Sequence, residues 1–588
     1  MLNLLHPLQR LVGSASAPAR SLLELEEPIR AELFGIERLE EHAQSLAAAQ
    51  RVAPGSRRGR RLLSRLEDNG RVLLESYRAI AKAIHEERAI IPAAEWLVDN
   101  FHIVEEQLRE IRDDLPSGYY LELPKLAEGH LEGYPRVFGL AWAFVAHTDS
   151  RFDPETLRRF VRAYQRVQPL TIGELWAVAI TLRVVLVENL RRLTERIVRG
   201  RAARQEADAL ADELLGLDGR PTEPAPVLRR FERAPLATAF AVQLVQRLRD
   251  QDPAVMPALL WLDVRLAAQG TTADEIVWVE HQRQAAMNVT VRNVITSMRL
   301  MSALDWTEFF ESVSLVDELL RADTDFAAMD FATRDRYRHA IEELSRGSGR
   351  SELEVAREAV LEAKRARGEA RRADVLSRDR REDPGYYLLS KGRAAFEKAL
   401  GFRVPVKRWL LRAYVAWATP GYLGTIAIVT GFILALPLLE TGESGMGPAG
   451  LVLLGLLALV PASDLAIALV NRGVMELLGP RTLPRLELRD GVPSSLRTMV
   501  VVPTLLTDDA EIQEQIERLE VHYLANPDGD LRFALLSDWT DAPAERMPGD
   551  DDLLAAATEG ITGLNRHHGP APGGDERFRL FHRRRVWN

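Results

Sequence analysis

The chain has 588 residues, 46% of them hydrophobic, which supports about two to four domains with hydrophobic cores and excludes a disordered protein. The formal net charge is −9, so no overall basic surface indicates a nucleic-acid partner, and we expect none. Because there is no cysteine, disulfides, thiolate zinc sites and cysteine nucleophiles are excluded.

The amino-terminal part of the chain has helical periodicity and little strand signal. Residues 1–18 contain only short apolar runs, so no cleavable signal peptide is expected. One apolar stripe has helical spacing and comprises Leu66, Leu73, Tyr77, Ile80 and Ile84. Ser351 followed by Glu354 forms a capping-box pattern that predicts another helix. We therefore predict an α-helical cytoplasmic domain over residues 1–400, in which no motif supports catalysis.

Residues 175–190 within this domain are apolar enough to suggest a membrane span. Arg183 and Glu188 interrupt the run, however, and the two charges favour a buried helix of a globular domain.

Two later segments, residues 413–439 and 446–470, are long and apolar enough to cross a membrane, and they predict a transmembrane hairpin within residues 401–475. The basic residues that flank the hairpin are Lys407, Arg408, Arg412, Arg472, Arg481, Arg485 and Arg489. Glu440 and Glu443 lie in its short connection. By the positive-inside rule, both ends of the hairpin are expected on the cytoplasmic side.

Asp464 lies inside the second apolar segment, where a carboxylate costs about 2.5 to 3.5 kcal/mol at membrane depth. Two interpretations stay open. Asp464 either lines a passage or pairs with another helix, or it lies near the membrane interface.

Residues 476–588 have the pattern of a βαβ unit. A β-branched run at residues 499–503 ends in Pro503, and a second run at residues 533–537 leads into Asp538. Between them, Asp508 is the expected N-cap of a helix, with Glu511 three residues later. The apolar face of this helix comprises Ile512, Ile516, Leu519 and Tyr523. The sequence therefore predicts two parallel strands joined by a helix.

Ligands of such sheets bind at the carboxyl ends of the strands, where Asp538 and Asp541 are expected. A carboxylate there can accept a hydrogen bond from a ribose hydroxyl or a uracil N–H. The alternative is that Asp538 caps a turn and Asp541 is solvated. Arg583 and Arg584, followed by Arg585, come after a strand-like run at residues 578–581 and could pair with diphosphate oxygens, or form a charged loop.

His567 and His568 are adjacent in the sequence and suggest a metal at first sight. Since no acidic or histidine partner follows at ligand spacing, a polar loop is the favoured interpretation. No metal ligand set is predicted in this chain.

Several long strings make a family resemblance visible. They are VVVPTLLTDDAEIQEQIERLEVHYLANPDGDLRFALLSDWTDA, RFRLFHRRRVWN, GYYLELPKL, YPRVFGLAWAFVAHTDSRFD and QPLTIGELWAVAITLRVVLVENLRRL. The chain resembles the amino-terminal region and the start of the glycosyltransferase domain of cyclic β-1,2-glucan synthases. These are large, multi-pass inner-membrane enzymes of Gram-negative bacteria that polymerise glucose from UDP-glucose on a protein-linked intermediate.

The resemblance implies a GT-A-like α/β glycosyltransferase domain, of which residues 476–588 would be the first, truncated part. Pro503 and Thr504 would meet the nucleotide, and Asp538 and Asp541 lie in the motif SDWTDA, which resembles the uridine-contacting acidic motif. The implied partners are UDP-glucose, the growing β-1,2-glucan and the lipid bilayer. The implied cofactor is a divalent metal, Mg²⁺ or Mn²⁺.

The resemblance also implies that the metal-binding Asp-x-Asp, the catalytic base and the acceptor-site motif would lie beyond Asn588, so that the chain alone is expected to be inactive. Two rival functions stay open. One is a membrane-anchored helical interaction protein, and the other is a processive synthase of a different glycan.

Overall fold

The computed structural model describes residues 26–53, 59–60, 62–114, 117–217, 224–232, 235–249, 256–369, 380–479 and 482–586. The signal-peptide prediction for residues 1–18 and the basic flank residue Arg481 lie outside these ranges.

The first helices in chain order are α1 (Ile36–Ala49), α2 (Leu62–His85), α3 (Pro92–Asp99), α4 (Phe101–Asp114), α5 (Ser117–Glu122), α6 (Arg136–His147), α7 (Pro154–Gln165), α8 (Ile172–Leu214), α9 (Pro224–Leu228), α10 (Thr238–Leu248), α11 (Met256–Ala268), α12 (Ala273–Ala303), α13 (Trp306–Val313) and α14 (Leu315–Asp323). The later helices are α15 (Phe331–Ser348), α16 (Glu352–Glu369), α17 (Pro384–Leu389), α18 (Arg393–Leu400), α19 (Val406–Ala416), α20 (Ala418–Glu443), α21 (Pro448–Leu478), α22 (Asp509–Ala525) and α23 (Asp550–His568). The strands are β1 (Thr498–Leu506), β2 (Leu531–Trp539) and β3 (Phe578–His582), and short 3-10 helices lie at Arg229–Phe231, Asp325–Ala328 and Ser494–Leu496.

The chain divides into two units. The helical unit comprises Met1–Leu319 with Ser351–Ala356, and the membrane–sheet unit comprises Leu320–Arg350 with Arg357–Asn588. The domain boundaries predicted from the sequence, near residues 400 and 475, stay a prediction. Within the membrane–sheet unit, the Glu487 N–H donates to the Ala328 carbonyl at 2.8 Å, which joins the 3-10 helix before α15 to the segment that follows α21.

Helix α8 lies at the centre of the helical unit and packs against α2, α6 and α10. It begins at a capping box, because the Glu174 N–H donates to Thr171 Oγ1 at 3.2 Å and the Thr171 N–H donates to Glu174 Oε2 at 3.0 Å. Residues 175–190 are buried on all sides in this helix, so the prediction of a buried globular helix is confirmed. An apolar run without a polar face is typical of a core helix.

Two further helix predictions in this part of the chain are confirmed. Ser351 and Glu354 form the expected capping box, with the Glu354 N–H donating to Ser351 Oγ at 3.3 Å. In α2, the predicted stripe buries Leu66, Leu73 and Ile80, while Ile84 is 42% exposed near the end of the helix.

Helices α20 and α21 are long and apolar enough to cross a membrane. They pack against each other, and the Tyr422 hydroxyl donates to Asn471 Oδ1 at 2.7 Å between them. The first predicted span began at Ala413, but that residue lies in α19, which ends at Ala416 before α20 begins. Asp464 is exposed near the middle of α21.

The three strands form a parallel sheet in the order β1-β2-β3. The prediction that β1 ends at Pro503 is wrong, because the strand continues to Leu506. A proline, which has no N–H to donate, is tolerated because β1 is an edge strand of the described sheet. The predicted N-cap is confirmed, since the Glu511 N–H donates to Asp508 Oδ1 at 2.9 Å at the start of α22.

Helices α22 and α23 cover one face of the sheet. The shared core comprises Leu506, Ile512, Ile516, Leu519, Phe533, Leu535, Ala557, Ile561, Leu564 and Phe578. The other face leaves large apolar side chains exposed, among them Val501, Leu505 and Leu536. The prediction that His567 and His568 lie in a polar loop is wrong, because both residues belong to the last turn of α23.

Candidate functional site

The carboxyl edge of the sheet brings two of the predicted site residues together. In the strand register, Leu505 of β1 lies beside Asp538 of β2, and Ser537 of β2 lies beside His582 of β3. The Arg583 N–H then donates to the Ser537 carbonyl at 2.9 Å, which extends the pairing of β3 by one residue. As a result, Arg583 Nη1 lies 3.4 Å from Asp538 Oδ2.

The Asp538 carboxylate is held in place but stays accessible. Its Oδ1 accepts a hydrogen bond from the Trp539 N–H at 2.9 Å. The side chains of Asp538 and Arg583 are 38% and 73% exposed. An ion pair that is this exposed contributes at most about 1 kcal/mol. A ligand can therefore replace either partner at low cost.

A second group at this edge was not found by sequence reasoning. His582 Nδ1 lies 2.9 Å from Ser537 Oγ, and the His582 ring lies edge-on to Trp539 at 4.5 Å. Burial lowers the pKa of His582, although Asp538 and Asp550 oppose this effect. The neutral ring is thus favoured. The signal that could have revealed this group is the strand register, which the sequence does not supply.

Arg585 has a different role from its two neighbours. Its Nη1 lies 2.8 Å from Asp550 Oδ2, in a pair whose side chains are 11% and 13% exposed. Its Nε also donates to the Thr540 carbonyl at 3.0 Å, and its guanidinium lies over the Trp539 ring. The hydrogen bond from Arg585 lowers the pKa of Asp550. Arg585 therefore anchors the segment between β2 and α23 to the end of β3.

The other predicted site residues are not joined to the Asp538–Arg583 pair. Pro503 and Thr504 lie in β1, two positions and one position before Leu505, and Thr504 is half-buried. Asp541 and Arg584 are exposed, and neither forms an ion pair with another residue that the structure describes. Their placement near the end of β2 and β3 still sets them at the same edge of the sheet.

No family model matches the chain. The chain is 37% identical over 581 residues to the cyclic β-(1,2)-glucan synthase NdvB of Rhizobium meliloti strain 1021, and this alignment covers 97% of the chain. The chain is homologous to a segment of this synthase. The resemblance predicted from the sequence strings is thereby confirmed, and the chain spans 20% of the length of its relative.

The extent of the alignment with the glucan synthase matters for the site. Because it covers 97% of the chain, the helical unit, the two apolar helices and the sheet share one origin with the synthase. None of these parts is an unrelated fusion. The Asp538–Arg583 edge thus belongs to a chain that is related to a glycan-forming enzyme throughout.

Proposed function

We propose that the chain is part of a membrane glucosyltransferase that polymerises glucose from UDP-glucose into cyclic β-1,2-glucan. The observation that carries this proposal is the 37% identity to the synthase NdvB over 97% of the chain. In this proposal the parallel sheet is the beginning of a GT-A-like transferase domain, and its carboxyl edge recognises the donor.

The chemistry of the edge supports donor recognition. The Asp538 carboxylate can accept a hydrogen bond from a uracil N–H or a ribose hydroxyl. Arg583 and Arg584 can pair with diphosphate oxygens, for which the planar guanidinium is well suited. Pro503 and Thr504 on the neighbouring strand would border the nucleotide, and Asp541 would add a second carboxylate.

These residues do not fit the divalent metal that the synthase resemblance implies. The Asp538 carboxylate faces Arg583, and the nearby Asp550 carboxylate is engaged by Arg585. Carboxylates that ligate Mg²⁺ or Mn²⁺ need free oxygens directed at one point. We therefore assign donor binding to this edge.

The donor proposal is tested with the full chain in detergent, by calorimetric titration with UDP-glucose. Asp538→Ala removes a hydrogen-bond acceptor, so the affinity is expected to fall roughly 5- to 150-fold, equivalent to about 1–3 kcal/mol. Asp528→Ala is the matched control, because Asp528 is an exposed carboxylate that precedes β2 at the opposite edge. Equal affinities of the two variants and the wild type would contradict the proposal.

We further propose that α20 and α21 form an inner-membrane hairpin with both ends in the cytoplasm, where UDP-sugars are made. The two apolar helices and the basic flanks support this topology. Ser444 lies in the connection between the helices, and the chain is free of cysteine. Ser444→Cys should therefore react with a membrane-impermeant thiol reagent in intact spheroplasts, whereas labelling only after lysis would refute the topology.

A further inference from the structure

His567 and His568 meet an acidic partner that their sequence neighbourhood does not reveal. Glu520 of α22 lies beside the end of α23, and Glu520 Oε1 is 2.6 Å from His568 Nε2. Each of the residues Glu520, His567 and His568 offers one ligand atom, and these three atoms all lie within 4.8 Å of one another. The packing of α22 against α23 therefore supplies the partner that sequence spacing lacked.

The chemistry of this cluster suits a particular class of ion. Two imidazole nitrogens and one carboxylate oxygen are the ligand types that zinc prefers, whereas Mg²⁺ prefers oxygen ligands alone. Three protein ligands leave a fourth position for water.

The surroundings of His568 prearrange its ring. Its side chain is 12% exposed, and its ring lies edge-on to Tyr523 at 5.0 Å and tilted against Phe578 at 5.8 Å. Metal-binding histidines need such fixed orientation, and it reduces the entropy lost on binding. His567 is exposed, and its ring lies edge-on to the His568 ring at 4.5 Å.

We propose that Glu520, His567 and His568 bind one Zn²⁺ ion. Ligation through Nε2 of His568 requires the neutral tautomer that carries the ring proton on Nδ1. Ligand atoms around a tetrahedral zinc lie about 3.4 Å apart, given metal–ligand distances of about 2.1 Å. The Glu520–His568 distance of 2.6 Å thus opens slightly, and the His567 ring closes onto the ion.

The zinc would act on the fold and not on the sugar donor. Helices α22 and α23 both end at the amino edge of the strands, since each precedes the start of the next strand. Phe578, against which His568 packs, pairs with Phe533, and Asp538 lies five residues further along β2, which corresponds to about 16 Å. The ion would join the ends of the two helices that cover the sheet.

The test uses the full chain in detergent, without a histidine tag, and measures Zn²⁺ binding by isothermal titration calorimetry. One tight site is expected in the wild type. His567→Ala and Glu520→Gln should each weaken it at least about tenfold, since each removes one ligand or weakens its charge. His522→Ala is the control, because His522 is exposed on α22 only two residues from Glu520, and its Zn²⁺ affinity should equal that of the wild type.

Two further measurements separate ligation from folding. Circular dichroism should be unchanged in His567→Ala, whose side chain is exposed, so its loss of affinity cannot arise from misfolding. Co²⁺ in place of Zn²⁺ should give visible absorption bands typical of tetrahedral coordination in the wild type and not in His567→Ala. The proposal is overturned if the wild type binds no Zn²⁺, or if the His567, Glu520 and His522 variants all bind it equally.

Discussion

Glu188 in the helical unit and Asp538 at the edge of the sheet are both carboxylates that face arginine, but their surroundings differ. The Glu188 side chain is 1% exposed and accepts hydrogen bonds from Arg65 at 2.7 Å, Asn69 at 2.7 Å and Arg192 at 2.8 Å. Asp538 is 38% exposed, with one arginine nitrogen at 3.4 Å. The Glu188 oxygens are occupied by hydrogen bonds within the fold, whereas the Asp538 carboxylate is accessible to a ligand.

The comparison shows that an arginine–carboxylate pair has no fixed meaning. Burial penalises the charged form of Glu188, but the hydrogen bonds and charges of Arg65, Arg191 and Arg192 outweigh this penalty and hold its pKa far below the usual range. Such a group is committed to the fold. For Asp538 the solvent competes with the arginine, so the pair contributes little to stability and can open towards a ligand.

The largest expected effect is that of Glu188→Ala. This substitution removes the carboxylate that pairs with Arg65, Arg191 and Arg192. Removing one partner of a buried charge cluster typically costs about 3–5 kcal/mol. We expect a marked decrease in the melting temperature of the helical unit, measured by circular dichroism of the full chain in detergent. Glu155→Ala is the control, because Glu155 is 56% exposed and forms an ion pair with Arg158 on the surface of α7. Equal melting temperatures of both variants would show that burial does not separate the two kinds of pair.

Asp464 extends the comparison to a carboxylate near the middle of an apolar helix. No described cation lies within ion-pair distance of its carboxylate, and the residue is exposed. Asp464→Leu should make insertion of α21 more favourable by about 3 kcal/mol, measured as the inserted fraction in a translocon assay. Asp490→Leu, outside both apolar helices, should leave insertion unchanged. No effect of Asp464→Leu would place the carboxylate in water or at the interface.

The sequence predicted local elements better than it predicted their partners. The Asp508 N-cap and the buried run around Glu188 were foreseen because both depend on neighbours in the chain or on overall hydrophobicity. The continuation of β1 past Pro503 was missed, since a proline is acceptable only where a strand is at an edge, and edges are set by tertiary structure.

The same limit applies to the candidate sites. Asp538 and Arg583 were both predicted, but their pairing depends on the register of β2 and β3. Glu520 and His568 are 48 residues apart and meet only because α22 and α23 pack together. No spacing rule along the chain contains this information.

A smaller effect is expected from Asp530, which lies just before β2 and forms ion pairs with Arg497 and Arg532. Burial opposes its ionisation, but hydrogen bonds from Arg497 and Ser494 and the neighbouring arginine charges lower its pKa. A carboxylate with a lowered pKa in the folded state adds stability above its unfolded pKa of about 3.9, and this stability is lost as the pH falls further.

Hydrogen exchange of the β2 peptide should therefore become faster in the wild type as the pH is lowered through about 4, after correction for the intrinsic exchange rate. Asp530→Asn should reduce this pH dependence, while Asp528→Asn, at an exposed site, should preserve it. An unchanged pH profile in Asp530→Asn would assign the acid sensitivity to other carboxylates.

The smallest expected effect on stability is that of Arg583→Ala, and the three consecutive arginines provide its controls. Arg583 is 73% exposed, so its loss should change the melting temperature by the equivalent of less than about 1 kcal/mol, although it should weaken the affinity for UDP-glucose if the edge binds the diphosphate. Arg585→Ala should lower the melting temperature more than Arg583→Ala and change the affinity for UDP-glucose less, because the largely buried pair with Asp550 anchors the segment after β2. If Arg583→Ala destabilised the protein as much as Arg585→Ala and left the affinity unchanged, the edge would be a structural feature like the Glu188 cluster and not a donor site.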